Sequence, residues 1–343
     1  MPPPGTPLER MGFLTIGLFD PADPGPGHES VLEIIELGEQ LGFDSAWVRQ
    51  RHLQYGISSP VAVLAAATQR TSRIALGTAV IPLGWENPLR LAEDLATVDV
   101  LAGGRLHPGV SVGQPRNFEH FDTALYPDTA AEEDFTYERV ARLLRAVDGD
   151  PVSSFKGVEG IETFSDRVEP HAPGLRGRIW YGGASVRSAE WAGAHGLNFL
   201  TSNVVRPDTP AGEPVPSFAA IQRSHLDAYH AARPAGARAS QGLVVIPTDS
   251  ADPAQRAKYE AYVDARTPRT ATPQGPERIL FARDLIGTSE ELAERLYADP
   301  GFTAVREVVF ALPFTFEHAD YVQILTDMAE RLGPLLGWRP GSG

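Results

Sequence analysis

Counting from Phe13, the chain repeats one pattern about eight times: a short β-branched or aromatic run ending in small or polar residues, then an amphipathic helical stretch. Parallel strands alternating with helices can close into a barrel, and such barrels keep their chemistry at the C-terminal rim. The predicted strands are Phe13 to Phe19, Ser45 to Val48, Ile74 to Ala79, Leu106 to Ser111, Arg178 to Tyr181, Asn198 to Ser202, Leu243 to Pro247 and Val305 to Leu312. Punctuation between them supports the reading. Val31, Ile34, Ile35 and Leu41 share one helical face that stops at Gly42, Ser59-Pro60 and Asn87-Pro88 open helices, and Gly103-Gly104 closes one. Thr288 to Glu291 is a capping box before the last strand, and Ala319 to Leu332 reads as the closing helix. The expected fold class is α/β, a (β/α)8 TIM barrel with insertions at the C-terminal rim.

A chain of 343 residues with 42% apolar content suffices for one such domain. The formal charge of -14 argues against a phosphate-backbone partner such as DNA or RNA. With no cysteine, disulfides, thiolate metal sites and cysteine nucleophiles are excluded, so redox chemistry needs a bound organic cofactor. The nine histidines are scattered, with neither H-x-x-x-H nor H-E-x-x-H, and no metal site is expected. No G-x-S-x-G elbow supports a serine hydrolase. The N-terminus lacks a basic and apolar signal region, and no apolar run reaches about eighteen residues, so a cytoplasmic protein is expected.

Three stretches interrupt the repeat. Asp148 to Pro173 reads as a hairpin excursion at the rim, whereas Pro207 to Gly242 and Arg266 to Gly287 read as long loops, the second of them a lid.

The strongest local signal runs from Arg178 to Ser188, a strand passing through Gly182-Gly183 into a helix. Glycines let the backbone approach an anion, the free N–H groups of Ser185 to Ser188 sit at the positive end of a helix, and the two hydroxyls add donors. Arg187 would add a full charge. The plainer alternative is that the glycines close a turn and Ser185 only caps. A dinucleotide site fits less well, because no G-x-G-x-x-G follows a strand with an acidic residue about twenty positions on. A second signal is Ser45 to His52, which places His52 at the end of strand two as the first catalytic candidate, against a packing role. Gly77 to Pro82 offers small residues against which a flat ring could lie, and Ser111 is a fourth rim position.

The runs "GTAVIPLGWENPLRLAED" from Gly77, "GGRLHPGVSVG" from Gly103, "GGASVRSAEWAGAHG" from Gly182 and "SAWVRQRHLQYG" from Ser45 resemble the bacterial luciferase-like flavin monooxygenases. The likeness extends from Phe13 to the last helix. It implies a single luciferase-like TIM-barrel domain over residues 13–338, between a flexible N-terminal segment, 1–12, and a flexible tail, 339–343. It implies FMN bound in reduced form, supplied by a separate flavin reductase, and a reaction with O2 that oxygenates a small organic substrate through a C4a-hydroperoxyflavin. A homodimer is common in the family.

By the same resemblance, Ala184, Ser185, Val186 and Ser188 form the phosphate loop, and the local pattern adds Gly182, Gly183 and Arg187 as expected cofactor-binding residues. Ala79-Val80 matches the strand-three bulge that supports the flavin ring, often with a non-proline cis peptide, and Thr78 before it is an expected cofactor-binding residue. Ser111 corresponds to a position near the reactive flavin carbon, and His52 to the second histidine of a Glu-His-His stretch that here reads Gln50-Arg51-His52, which puts light emission in doubt. An arginine that grips phosphate in luciferases is Val112 here, and Arg187 is the expected replacement. Two other readings stay open: a deazaflavin-dependent hydride-transfer enzyme of the same fold, and a non-catalytic flavin-binding protein.

Overall fold

A computed structural model describes residues 7–210 and 213–341. The barrel strands are β1 (Arg10–Thr15), β2 (Ser45–Val48), β3 (Ala75–Thr78, resuming at Ile81–Pro82), β4 (Leu106–His107, resuming at Gly109–Ser111), β5 (Trp180–Gly182), β6 (Asn198–Leu200), β7 (Ala239–Gln241) and β8 (Glu307–Ala311). The sheet contains ten segments, but β3 and β4 each contribute two, which leaves eight strands. All pairings among them are parallel, β8 pairs with β1, and both halves of β3 pair with both halves of β4, so the ring closes.

Helices α1 (Gly25–Gln40), α2 (Pro60–Thr68), α3 (Pro88–Leu101), α4 (Tyr137–Asp148), α5 (Val186–Ala194), α6 (Phe218–Ala232), α7 (Pro253–Arg266), α8 (Ser289–Ala298) and α9 (His318–Asp327) surround the strands. The punctuation read from the sequence does local work. Asn87 accepts from the amides of Leu89 and Arg90, Gly42 adopts φ +86°, and Thr288 and Glu291 close their capping box. Inside the ring, Trp47 and Trp180 meet edge to face at 5.5 Å, while Phe13, Phe199 and Phe310 point outward and are fully buried between strands and helices, Phe13 against Gly38 of α1 and Phe199 against Tyr229 of α6.

The ladder between β3 and β4 is interrupted on both sides. Ala79–Val80 is a cis peptide, as the resemblance implied, and Pro108 has no N–H to donate. Thr78 bridges the gap: its hydroxyl donates to the Gly109 carbonyl at 2.8 Å and accepts from the Gly109 amide at 2.9 Å. Only glycine fits opposite, since a Cβ at residue 109 would lie 2.1 Å from the Thr78 carbonyl oxygen.

Four expectations need correction. The seventh barrel strand is Ala239–Gln241, upstream of the predicted Leu243 to Pro247; Leu243 and Val244 still pair with β8 at Ala311, but Val245–Pro247 leaves the ring to pair with Leu285–Gly287. Its sequence hid it, because Ser240 and Gln241 are polar yet fully buried. Pro207 to Gly242 is not mainly loop, for it contains α6, whose buried stripe includes Gln222 and His225 and so blurs the apolar period. The Gly157–Glu159 and Glu162–Phe164 hairpin exists, but it follows a helix, and Arg176 pairs back to Asp148 at that helix's end. It therefore belongs to the N-terminal side, and the rim carries the segments that follow strands. The ordered chain also begins earlier than Phe13: Leu8 is buried and β1 starts at Arg10. At the other end the Gly341 amide donates to the Gly42 carbonyl, while residues 1–6 and 342–343 lie outside the described part. No helix among the described residues is long and apolar enough to cross a membrane.

Candidate active site

At the C-terminal rim lies a cavity of about 320 Å³, within the range of small-molecule sites. Each wall comes from a strand end. β2 contributes Arg49, Gln50 and Arg51; β3 contributes Ala79, Val80 and Pro82; β4 contributes Ser111; and β5 leads into Gly182, Gly183 and Ala184. Leu14, Leu200, Val309 and Ala311 make the apolar remainder, with Thr201, Ser202 and Asn203 closing one side. The sequence therefore brought Ala79, Val80, Ser111 and the glycine pair together correctly.

The glycines are sterically required. A Cβ at residue 182 would lie 2.7 Å from Cγ1 of Val80, and one at 183 would lie 2.5 Å from the Ser188 hydroxyl and 2.7 Å from the Phe199 ring. Beyond Ala184 begins α5. Its first turn is a capping box in which the Ser188 amide donates to Ser185 Oγ at 3.2 Å and the Ser185 amide donates to Ser188 Oγ at 3.1 Å. Ser188 Oγ also donates to the Ser185 carbonyl at 2.8 Å. The hydroxyls are thus engaged with each other rather than offered to an anion, which corrects the sequence expectation. What remains for an anion is main chain: the amides of Val186 and Arg187 have no partner among the described residues and sit at the positive end of the helix.

Three other expected site residues sit differently. Arg187 is exposed, and its guanidinium lies 5.8 Å from the Tyr137 ring centre, outside the cavity wall. Thr78 serves the β3–β4 junction and does not reach the cavity. His52 stands one layer behind the wall, stacked on Trp85 at 3.9 Å, which itself stacks on Phe121 at 4.4 Å. Burial lowers its pKa below the ordinary imidazole value, so the ring is neutral near pH 7.

His52 meets the cavity through Gln50. Gln50 Nε2 lies 2.6 Å from His52 Nε2 and donates to Glu86 Oε1 at 2.8 Å. An ionised carboxylate can only accept, so Glu86 fixes the amide with Nε2 toward itself. Gln50 Oε1 is then a buried acceptor with no partner among the described residues, on a side chain that lines the cavity. The sequence placed the polar end of this strand in the barrel mouth but singled out only His52, leaving Arg49, Gln50 and Arg51 without a role. Residues 49 and 51 share one side of the alternation, and that parity was the available signal.

No group of acidic residues and histidines among the described residues could hold a metal ion. An organic ligand with a flat ring and an anionic tail fits what is present: small backbone at Ala79 and Val80, an orphaned acceptor at Gln50, and free amides beyond a glycine pair that tolerates no Cβ.

Comparison with known proteins agrees. The family profile described as luciferase-like monooxygenase matches residues 11–304. A 4-hydroxyprotoasukamycin monooxygenase from Streptomyces nodosus subsp. asukaensis is 36% identical over 130 residues, 37% of this chain, and the chain spans only 34% of that relative's length. Among solved structures, the oxygenating constituent of 3,6-diketocamphane monooxygenase from Pseudomonas putida, in complex with FMN, superposes with TM-score 0.70 at 15% identity, covering 96% of this chain and 99% of that one. An F420-dependent secondary alcohol dehydrogenase superposes with TM-score 0.63 at 16% identity, covering 94% and 99%. At these identities the two structures speak for the fold alone.

Proposed function

The chain belongs to the luciferase-like monooxygenase family, and from that premise we propose that it is an FMN-dependent monooxygenase that oxygenates a small organic substrate with O2. The observation that carries the proposal is the rim cavity, bounded by a glycine pair and free helix amides on β5, small backbone on β3, and an unpartnered acceptor on β2.

Bound reduced FMN supplies the electrons that activate O2. The chain's own residues bind, orient and exclude water. The amides of Val186 and Arg187 hold the phosphate, with Gly182 and Gly183 giving the tail close backbone approach. Ala79 and Val80 back the ring. Gln50 Oε1 accepts a hydrogen bond from a ligand N–H or O–H, while Glu86 and His52 keep its amide in that orientation, which makes His52 a positioning residue. Ser111 Oγ offers a hydroxyl to the same space. Leu14, Leu200, Val309 and Ala311 keep bulk water from the reacting centre. A separate flavin reductase and a homodimeric, cytoplasmic enzyme complete the proposal.

A second reading, hydride transfer with a deazaflavin, is supported by the 33% identity over 128 residues with an F420-dependent glucose-6-phosphate dehydrogenase from Kribbella flavida, a match to 36% of that relative's length. Titration with FMN and with the deazaflavin, followed by oxygen mixing, separates the two. The proposal expects saturable FMN binding and slower peroxide release than from free reduced FMN. Binding of deazaflavin alone, with oxygen chemistry no different from free flavin, refutes it.

A further inference from the structure

The two arginines that flank Gln50 have no counter-ion among the described residues. Among the described residues no carboxylate lies within ion-pair distance of Arg49 or Arg51, although both line the cavity. The charges that act on them are cationic: Arg51 and Arg266 lower the pKa of Arg49, and Arg116 that of Arg51, in each case after burial. Arg266 is itself neutralised by Asp284 and held between the Tyr262 and Phe314 rings, so Asp284 is not free to serve Arg49. Among the described residues the only hydrogen bond of the Arg49 guanidinium is a long one, 3.4 Å from Nε to the Ala79 carbonyl, so its terminal nitrogens are uncommitted on a side chain that lines the cavity. In a chain of net charge -14, two half-buried cations side by side on a cavity wall, with no carboxylate paired to them among the described residues, leave a place for a ligand that supplies the opposing charge.

That ligand charge is not the phosphate assigned above. The phosphate position lies beyond β5, the arginines lie on β2, and β3 and β4 stand between them in the ring. Three strand spacings separate the two places by on the order of 10 Å. Resting on the flavin reading of this cavity, we propose that Arg49 and Arg51 form a second anion site that selects substrates bearing a carboxylate. The planar guanidinium of Arg49 suits a two-oxygen anion, and the apolar wall of Leu14, Val309 and Ala311 suits the hydrocarbon attached to it. Arg49 remains protonated when it does so. Burial first, then Arg51 and Arg266, lower its pKa only to about 10.

The test uses benzoate and octanoate against their isosteric amides, measured by saturation-transfer NMR on the full chain, with and without saturating oxidised FMN. The carboxylates should bind at least about tenfold more tightly than the amides, and FMN should not displace them. Arg49→Gln should abolish that preference while leaving amide binding and FMN affinity unchanged. The same variant should melt no lower than wild type, since it removes an uncompensated cation. Equal binding of acid and amide, or an unaltered preference in Arg49→Gln, overturns the proposal. Displacement of the carboxylates by FMN, with weaker FMN binding in Arg49→Gln, also overturns it, because the arginines then serve the flavin. Absence of FMN binding refutes the flavin reading separately, since the flavin-free arm still reads the carboxylate preference.

Discussion

Replacing Ser188 by alanine separates two roles that the sequence could not distinguish. The Ser188 hydroxyl is nearly inaccessible and is committed to Ser185, accepting from its amide at 3.1 Å and donating to its carbonyl at 2.8 Å. Ser188→Ala breaks the capping box and leaves the Ser185 amide without its acceptor. A lost cap costs about 1 kcal/mol and the stranded amide adds a comparable amount, so stability should fall by about 1 to 2 kcal/mol. Flavin affinity should barely change. The Ser185 hydroxyl can still hold the Ser188 amide, and the amides offered to the phosphate are those of Val186 and Arg187. Urea unfolding measures the first quantity and quenching of FMN fluorescence the second. A loss of less than about threefold in FMN affinity is expected, whereas a hydroxyl bonded directly to phosphate is worth about 1.5 to 3 kcal/mol, or roughly ten- to a hundredfold. Wild-type stability combined with a tenfold or greater rise in Kd would refute the assignment of this side chain to the cap.

Thr78→Val should cost about 2 to 3 kcal/mol in urea unfolding, because it strands both backbone groups of Gly109 in the closed interior. His52→Ala and Gln50→Ala should each lower product formed per O2 consumed, and the double variant should be no worse than Gln50→Ala, since His52 acts through that amide. At the opposite end of the barrel, burial raises Glu307 from 4.5 to about 7 despite its 3.2 Å ion pair with Arg238. Between those values the folded state holds a proton that the unfolded state has lost, so this group's contribution to stability falls as pH rises. Glu307→Gln removes the effect, and its stability relative to wild type should climb by about 3 kcal/mol from pH 4.5 to 7 in pH-dependent melting; a flat difference contradicts it. Nearby His107, lowered to about 3 by burial and by Arg238, works in the opposite direction, losing stability as pH falls below 6.5, which is why the comparison must be with the variant.

The architecture was legible because hydrophobic periods and helix punctuation are local signals. Asn87, Gly42 and the Thr288–Glu291 box act within a turn of their own positions. β7 was not legible, because Ser240 and Gln241 are buried through partners distant in sequence: Gln241 Nε2 reaches Gln222 Oε1 at 2.7 Å. Likewise α6 carries Gln222 and His225 on its inner face, and a pattern of apolar residues alone cannot find such a stripe. At the site, the glycine pair and Ala79–Val80 were legible as small residues at strand ends. The retreat of His52 was not, since it depends on Trp85 and Glu86 arriving from the next unit, and neither was the diversion of Arg187 to Tyr137. The isolation of Arg49 and Arg51 is likewise a property of the assembled rim, where no acidic residue reaches them.

The departure of Val245–Pro247 from the ring has a lasting consequence for how this molecule can change. The excursion from Thr248 to Asp284 starts and finishes at neighbouring points, because those residues pair with Leu285–Gly287, and Leu280–Phe281 is stitched to Val204–Val205 farther along the rim. Within it α7 is held to the barrel by buried Tyr259 and Val263, so residues can be added or removed without altering the register of any barrel strand in the exposed turn of residues 271–277. That exposed turn can therefore change in length between descendants while the eight strands keep their pairing.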